Sequence, residues 1–451
     1  NEIHPLFFNQ MSFWMATGSG KTLVIIKMIE ILSNLIKIKE IPTKEILISS
    51  ENEAIIKQIA EHIKTYNRAN DIKIEFIPLK KFDKRNNELG FDKIKVYYTT
   101  SRSLSHGDQV SKKSKDGKRI DYESVYNNGD WFVFLDEAHK GTEDSKTQAY
   151  FQLLASNGFL FNFSATFTEP IRKLTTVYNM NLDKFINAGY GKQIKVIGQG
   201  FNTQDEQEID KQISILQSLI LLTAQKMSKN EYLQNYYHNP LLLVFAHSIN
   251  STISKDEKTD LKEFFSILHD IINGKIADKI FTEAKNLLLK EIKENQQEQG
   301  YTIGNQQINL TFDFIRCIQA DTIAKYVLYN PKNSKLQSSL EYYKLGKDKS
   351  EVAIKLKTAD KPFALLKFGD AHKWIEEILV NAEELKTFDG IRNFSTLNDN
   401  DNPYSMLLGS RMFVEGWDSN RPNLIHFIGL GKNEENTKLV LQAIGRGVRI
   451  E

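Results

Sequence analysis

The chain has 451 residues, of which 41% are hydrophobic and 26% are charged, a composition typical of a globular protein with two or three domains. Lys and Arg (59) and Asp and Glu (57) nearly cancel to a net charge of +2, so the global charge favours no class of partner. Cys317 is the single cysteine, which excludes an intrachain disulfide and a cysteine-based zinc site, and no apolar segment reaches the length of a membrane span. We therefore expect a cytoplasmic protein with no membrane partner.

Strand and helix signals alternate through residues 1–200. Short apolar segments predict strands, and helical patterns such as ENEAIIKQIAEHIKTY lie between them. Apolar strands separated by helices are typical of a doubly wound parallel sheet, so this region predicts one α/β lobe. The segments that predict strands are EILISS (45–50), KIEFIPL (73–79), KIKVYYTT (93–100), WFVFLDEAH (131–139) and GFLFNFSAT (158–166).

Residues 201–451 predict a second sheet lobe of the same class. A mostly helical segment over about 250–345 interrupts this lobe and indicates an insertion, and residues 340–356 predict a β-hairpin with a charged turn. The segments that predict strands are PLLLVFAHS (240–248), FALLKFGD (363–370), YSMLLGS (404–410) and NLIHFIGLG (423–431).

The segment MATGSGKT (15–22) predicts a phosphate-binding loop between a short strand and the helix TLVIIKMIEIL. Glycines let backbone N–H groups converge on an anion, a lysine reaches the β- and γ-phosphates, and a hydroxyl binds Mg²⁺. The strict pattern fails at its first position, where Met15 stands, and the alternative is a Gly-Ser turn that merely caps a helix. The phosphate-binding loop predicts ATP and Mg²⁺ as cofactors. The predicted binding residues are Thr17, Gly18, Ser19, Gly20, Lys21 and Thr22.

Acidic and hydroxyl side chains end two further strands. In FVFLDEAHKG, Asp136 suits a Mg²⁺ ligand and Glu137 suits the general base that activates water. His139 belongs to the same string and is expected to help couple the nucleotide site to the second lobe, although a lone histidine at a strand end is more often structural. In FNFSATFTEP, Ser164 and Thr166 are hydroxyls that can couple the nucleotide site to the second lobe, and an ordinary strand end is the alternative.

The C-terminal segment VLQAIGRGVRI (440–450) predicts a helix that carries Gln442, Arg446 and Arg449. The two arginines are three positions apart and project from one face. A motor with two lobes needs such an arginine finger to stabilise charge on the γ-phosphate, so we expect these three residues to be catalytic. The alternative is a surface helix with solvated arginines.

Five segments in this order resemble motifs I, II, III, V and VI of superfamily-two helicases of the DEAD/DEAH type. They are MATGSGKT, LDEAH, FSAT, GSRMFVEGWD and QAIGRGVR. More narrowly, NQMSFWMATGSGKT, VEGWDSNRPN and VLQAIGRGVRIE resemble the restriction (Res) subunit of type III restriction-modification enzymes.

The resemblance implies two RecA-like lobes, with ATP and Mg²⁺ in the cleft between them and nucleic acid across the top. By position, Gly416 and Asp418 match the residues of motif V that contact the nucleotide and couple the lobes. Looser matches to motifs Ia, Ib and IV lie in LISSEN, YYTTSRSL and VFAHSIN. The residues that the resemblance assigns to the nucleic-acid backbone are Ser49, Ser50, Thr100, Ser248 and Ser410.

Type III subunits continue past motif VI into an endonuclease domain, whereas this chain stops shortly after that motif. An E-x-K pattern, which a nuclease needs on a strand, occurs at Glu283, Glu291 and Glu384, and each lies in a segment that predicts a helix. We therefore expect surface charges at these glutamates, no DNA cleavage by residues 1–451, and an endonuclease domain beyond Glu451.

The sequence as a whole predicts the ATP-dependent DNA translocase or helicase motor of a type III-like restriction enzyme. The expected partners are duplex DNA and a modification subunit that reads the DNA sequence. Two alternatives stay open: an RNA helicase of the DEAH type, and a nucleotide-gated clamp on nucleic acid with little turnover.

Overall fold

The computed structural model divides into two compact units, Asn1–Gly191 and Lys192–Glu451. None of the helices in the part of the chain that it describes has the length and apolar character needed to cross a membrane. The described ranges are 9–51, 53–83, 93–105, 113–114, 117–137, 146–167, 169–197, 208–232, 234, 238–246, 257–295, 301–303, 306–308, 310–331, 339–346, 349–379, 382–386, 392–409, 419–428 and 434–448.

A parallel sheet forms the centre of the first unit. The strands of this unit are β1 (Gln10–Met15), β2 (Glu45–Ser50), β3 (Lys73–Pro78), β4 (Lys93–Thr100), β5 (Leu104–Ser105), β6 (Lys113–Ser114), β7 (Gly117–Lys118), β8 (Ile120–Asp121), β9 (Trp131–Asp136), β10 (Phe159–Ser164) and β11 (Thr176–Met180). Among the described residues, seven of them pair in the order β11-β1-β10-β9-β2-β4-β3, each parallel to its neighbours. Every residue of β9 is buried, as expected for a strand that is covered on both faces.

Helices cover this sheet. They are α1 (Lys21–Lys37), α2 (Glu53–Ala69), α3 (Tyr122–Val125), α4 (Lys146–Leu154), α5 (Pro170–Leu174) and α6 (Leu182–Asn187). One apolar cluster joins Ile25 and Ile29 of α1 to alternate strand residues such as Ile48. Another joins Phe151 of α4 to Val133 on the opposite face of β9. The two clusters hold the strand ends, and hence the loops that follow them, in fixed positions.

A mixed sheet forms the centre of the second unit. The strands of this unit are β12 (Leu241–Ala246), β13 (Tyr301–Ile303), β14 (Gln306–Ile308), β15 (Leu340–Leu345), β16 (Glu351–Leu356), β17 (Ala364–Lys367), β18 (Glu383–Glu384), β19 (Met406–Gly409) and β20 (Pro422–Ile428). Seven of the described strands pair in the order β18-β15-β16-β17-β19-β12-β20. The pairs β17-β19, β19-β12 and β12-β20 are parallel, whereas β16 is antiparallel to both β15 and β17.

The helices of the second unit are α7 (Glu208–Tyr232), α8 (Glu257–Ile272), α9 (Asp278–Asn295), α10 (Leu310–Cys317), α11 (Ala320–Tyr326), α12 (Ala371–Ile378) and α13 (Glu434–Gly447). Between β12 and β15 the described elements are α8 to α11 and the small β13-β14 hairpin. These helices share one apolar core with α7 and the sheet, through residues such as Leu219, Phe264 and Leu288. The predicted fold class, two RecA-like parallel-sheet lobes of the P-loop NTPase type with a mostly helical insertion in the second, is confirmed, except that the second sheet is parallel only over β17, β19, β12 and β20 and has an antiparallel edge at β15, β16 and β17.

One of the three E-x-K glutamates does not lie in a helix. Glu283 and Glu291 are in α9, as predicted, but Glu384 is in β18, which pairs with β15. The carboxylate of Glu384 is 2.8 Å from Nζ of Lys344 on that neighbouring strand. The predicted helix is wrong here because pairing with β15 outweighs the helical preference of a short polar segment.

Candidate nucleotide-binding site

Parallel pairing brings the ends of β1, β9 and β10 to one edge of the first sheet. Trp14 of β1 lies opposite Ser164 of β10, and Phe163 lies opposite Asp136 of β9. The loop that follows β1, the acidic pair that ends β9 and the hydroxyl that ends β10 are therefore neighbours. Ligands of parallel α/β sheets bind at the carboxyl ends of the strands, so this edge is where a site is expected.

The loop between β1 and α1 has the backbone of a phosphate cradle. Gly18 and Gly20 have φ angles of 83° and 85°, in the left-handed region that favours glycine. Gly20 is the N-cap of α1 and supplies no side-chain hydrogen bond to the first N–H groups of the helix. The hydroxyl of Ser19 turns back to the carbonyl of Ala16, 2.7 Å away. The N–H groups of Leu23 and Val24 donate to the carbonyl of Gly20, so the N–H groups that precede them at the start of α1, with the positive end of the helix dipole, are the ones placed at this edge.

Lys21 and Glu137 form an ion pair across this edge. Lys21 Nζ lies 2.7 Å from Glu137 Oε1, and the two side chains are 11% and 19% exposed. Glu137 has a φ angle of 64°, a conformation that costs a non-glycine residue free energy and recurs at functional sites. Asp136, the last residue of β9, is buried. The structure thus brings together the predicted phosphate-binding lysine and the predicted general base.

The oxygen donors at this edge fit a magnesium ion that is bound together with a nucleotide. Thr22 is the second residue of α1 and is half-buried, and Asp136 ends β9 at the same edge. Mg²⁺ prefers hard oxygen ligands and is usually bound by one or two protein groups, with phosphate oxygens and waters as the remaining ligands. A threonine hydroxyl and an aspartate carboxylate meet that requirement.

The end of β10 is tied directly to the strand of the phosphate loop. The hydroxyl of Ser164 accepts a hydrogen bond from the N–H of Thr166 at 3.0 Å. The indole Nε1 of Trp14 donates to the carbonyl of Ala165, 2.9 Å away. Thr166 Oγ1 is buried without a hydrogen-bond partner among the described residues. The coupling role of Ser164 and Thr166 stays a prediction. Trp14 links the strand of the phosphate loop to the end of β10, and no pattern in the sequence singles it out.

The hydroxyls assigned to nucleic acid also lie at strand ends of this sheet. Ser49 and Ser50 end β2 and are each 1% exposed, and neither hydroxyl has a hydrogen-bond partner in the described ranges. Thr100, which pairs with Ser50 in the register of β2 and β4, has its hydroxyl 2.5 Å from that of Ser103. Their contact with a phosphate backbone stays a prediction, since a nucleic acid would need access to side chains that are now covered.

The second unit carries the predicted arginine helix as α13. Gln442 and Arg446 are four positions apart and are both half-buried, while Leu439 and Ala443 face the apolar core. The catalytic roles of Gln442 and Arg446 stay predictions. Six of the predicted site residues lie outside the described residues: His139, Ser248, Ser410, Gly416, Asp418 and Arg449.

Residues 7–169 match the family model described as "Type III restriction enzyme, res subunit". A search of curated proteins gave no match. Among solved structures, Dbp5 of S. cerevisiae bound to RNA and ADP BeF3 is 10% identical, covers 97% of this chain and 75% of its own, and has a TM-score of 0.35. The Hef helicase domain of Pyrococcus furiosus is 13% identical, covers 98% of this chain and 90% of its own, and has a TM-score of 0.34.

The two structural scores are too low to add to the fold, which follows from the sheet topology. The family match covers the phosphate loop, the acidic pair that ends β9 and the hydroxyls that end β10. It supports a helicase-like ATPase motor for the region that holds this site. The predicted resemblance to the Res subunit of type III restriction enzymes is confirmed over residues 7–169.

Proposed function

We propose that this protein is the ATP-dependent DNA translocase or helicase motor of a type III-like restriction enzyme. The observation that carries the proposal is the edge of the first sheet. There, the glycine cradle of the phosphate loop, the Lys21–Glu137 ion pair and the buried Asp136 come together. A modification subunit is its proposed partner for reading the DNA sequence, and an endonuclease domain its proposed partner for cutting.

The residues at this edge suit the hydrolysis of ATP. The N–H groups of the loop and of the first turn of α1 bind the phosphates, and Lys21 neutralises the β- and γ-oxygens. Mg²⁺ held by Thr22 and Asp136 would supply further stabilisation of phosphate charge. Glu137 accepts the proton of the attacking water. Because Lys21 is paired with Glu137 at 2.7 Å, the ammonium must exchange that carboxylate for phosphate oxygens when ATP binds, which releases the base for its role.

Nucleic acid is the proposed track of the motor. Ser49, Ser50 and Thr100 end neighbouring parallel strands along a single sheet edge, and because their side chains are buried, they contact a nucleic acid only when this edge becomes exposed. Hydroxyl contacts to phosphates position a nucleic acid and carry no sequence information directly, which suits movement along a strand. Sequence reading then belongs to the modification subunit.

The experiment that tests this function is steady-state ATP hydrolysis with equal nucleotide concentrations of duplex DNA, single-stranded DNA or single-stranded RNA. Lys21→Ala is the control for contaminating ATPases, because it removes the ammonium from the phosphates. The proposal expects the largest stimulation with duplex DNA. Stimulation by RNA alone would favour the RNA helicase, and binding of nucleic acid with ATP but without turnover would favour the clamp.

A further inference from the structure

Lys192 is the residue at which the chain enters the second unit, and its backbone is bonded to the end of the arginine helix. The N–H of Lys192 donates to the carbonyl of Val448, 2.7 Å away. Val448 directly follows α13, and its own N–H donates to the carbonyl of Ile444 at 3.1 Å. The carbonyl that Lys192 binds therefore belongs to the last turn of the helix that carries Arg446.

The side chain of Lys192 binds the start of β20. Its Nζ donates to the carbonyl oxygens of Asn420, at 2.5 Å, and Pro422, at 3.0 Å, and to Oδ1 of Asn423, at 3.2 Å. These three acceptors match the three N–H donors of a protonated ammonium. His238, which precedes β12, has Nε2 at 3.0 Å from the same Asn423 oxygen and so helps to fix that amide.

Among the described residues, the groups that accept hydrogen bonds from this ammonium are neutral. Its acceptors are two carbonyls and one amide, and burial lowers the pKa of Lys192 to about 8. The ammonium is therefore still protonated at pH 7 and keeps all its donors. Lys192 is half-buried, and withdrawing its charge from water next to neutral acceptors costs free energy. Stability alone therefore does not explain a lysine at this position. The three hydrogen bonds by which its ammonium fixes the start of β20 do explain it.

The end of α13 and β20 approach each other closely at this junction. A Cβ atom added to Gly447, the last residue of α13, would lie 3.1 Å from Cδ1 of Ile425 in β20. Lys192 holds both elements, one through its backbone and the other through its ammonium. Three segments are thus joined at a single residue: the entering chain, the end of α13 and the start of β20, which follows the predicted motif V.

We propose that Lys192 is a positioning residue of the motor, which fixes the end of α13, and with it Arg446, relative to β20 and to the segment by which the chain enters the second unit. The inference rests on the proposed function through the role assigned to Arg446. Lys192 acts on turnover through the helix and does not contact the nucleotide. A misplacement of about 1 Å at a group that takes part in the reaction can lower its rate by about 10²-fold.

The test compares Lys192→Met, which removes the ammonium at similar length, with Lys192→Arg, which keeps a charge and several donors. Lys195→Met is the matched control, because Lys195 lies three positions further on the same segment and is exposed. The first measurement is the kcat and KM for ATP with duplex DNA. We expect Lys192→Met to lower kcat about 10-fold or more with KM changed less than about two-fold, and Lys192→Arg to restore most of the kcat.

The second measurement is hydrogen exchange of the amides of residues 192–197 and 419–428, which requires no ATPase activity. Exchange should be faster in Lys192→Met than in the wild type, and unchanged in Lys195→Met. Wild-type kcat in Lys192→Met, or a loss of kcat that Lys192→Arg shares fully, would overturn the positioning role. Unchanged exchange would show that the ammonium anchors nothing. A wild-type protein without ATPase activity would instead refute the proposed function, while the exchange measurement would still decide whether the anchor exists.

Discussion

His426 should make the stability of the second unit depend on pH in the mildly acidic range. This residue lies in β20 and is buried, and its Nδ1 is 2.9 Å from the hydroxyl of Ser218 in α7. Burial lowers the pKa of His426 to about 4, because a charged imidazole would lose its hydration there. At neutral pH the ring is therefore uncharged and serves as a hydrogen-bonding bridge between sheet and helix.

The magnitude follows from the two states of this one group. In the unfolded chain the imidazole binds a proton below about 6.5, whereas in the folded chain it stays neutral until about 4. Between these values the unfolded state binds more protons, so the free energy of unfolding falls as the pH falls from about 6.5 to about 4. At about 1.4 kcal/mol for each pH unit, the total loss is about 3 kcal/mol. Above pH 6.5 the group makes no pH-dependent contribution.

The assay is urea unfolding at a series of pH values from 7.5 to about 4.5. Unfolding is monitored through the hydrogen exchange of peptides from α7 and β20, so that the second unit is observed by itself. His426→Gln keeps a hydrogen-bonding side chain but does not titrate. Its urea midpoint for these peptides should change with pH less steeply than that of the wild type.

His269→Gln is the matched control, because the side chain of His269 is 57% exposed. Its midpoint should follow the pH dependence of the wild type. A His426→Gln protein that lost stability with acid as steeply as the wild type would refute the assignment to this buried imidazole.

Three further predictions concern the loop, the arginine helix and the core of the second unit. Gly20 and Gly189 have similar φ angles of 85° and 81°, and a Cβ at either would meet no atom within 4 Å, so replacing either with Ala should cost roughly 1–2 kcal/mol of stability. A nucleotide titration should show weaker ATP binding in Gly20→Ala and unchanged ATP affinity in Gly189→Ala. Arg446→Ala should lower the ATP turnover by two or more orders of magnitude with nearly unchanged nucleotide affinity, and full turnover would show that this residue does not act on the phosphates. Lys226 donates to the hydroxyl of Tyr329 at 2.9 Å, so a double-mutant cycle of Lys226→Met and Tyr329→Phe should give a coupling of roughly 0.5–3 kcal/mol in urea unfolding, and additive effects would contradict the bond.

The features that the sequence predicts correctly are those whose signal is local. The strand β9 is a run of apolar residues that ends at Asp136, and Glu137 follows it directly in the same sequence string. The positive φ angles of Gly18 and Gly20 are expected from the residue type itself, because glycine has no Cβ and adopts such angles without steric cost. Short apolar strands between helical patterns gave the fold class for the same reason.

Features that depend on distant pairing were not predictable. The two-residue strand that contains Glu384 exists because β15 pairs with it, and nothing in its own sequence favours a strand. The hydrogen bonds of the Lys192 ammonium join residues about 230 positions apart in the sequence. The ion pair of Lys21 and Glu137 joins residues that are 116 positions apart. A sequence pattern indicates which residues can form such bonds, but only the folded chain selects the partner.

The most direct test of the central claim measures ATP binding and ATP turnover in the same preparations of the wild type, Glu137→Gln and Lys21→Ala. If this sheet edge hydrolyses ATP, Glu137→Gln should bind ATP at least as well as the wild type, because it loses the carboxylate that competes for Lys21 at 2.7 Å, and yet its turnover should be abolished. Lys21→Ala should lose turnover and bind ATP more weakly. A Glu137→Gln protein that hydrolysed ATP at the wild-type rate would contradict the account.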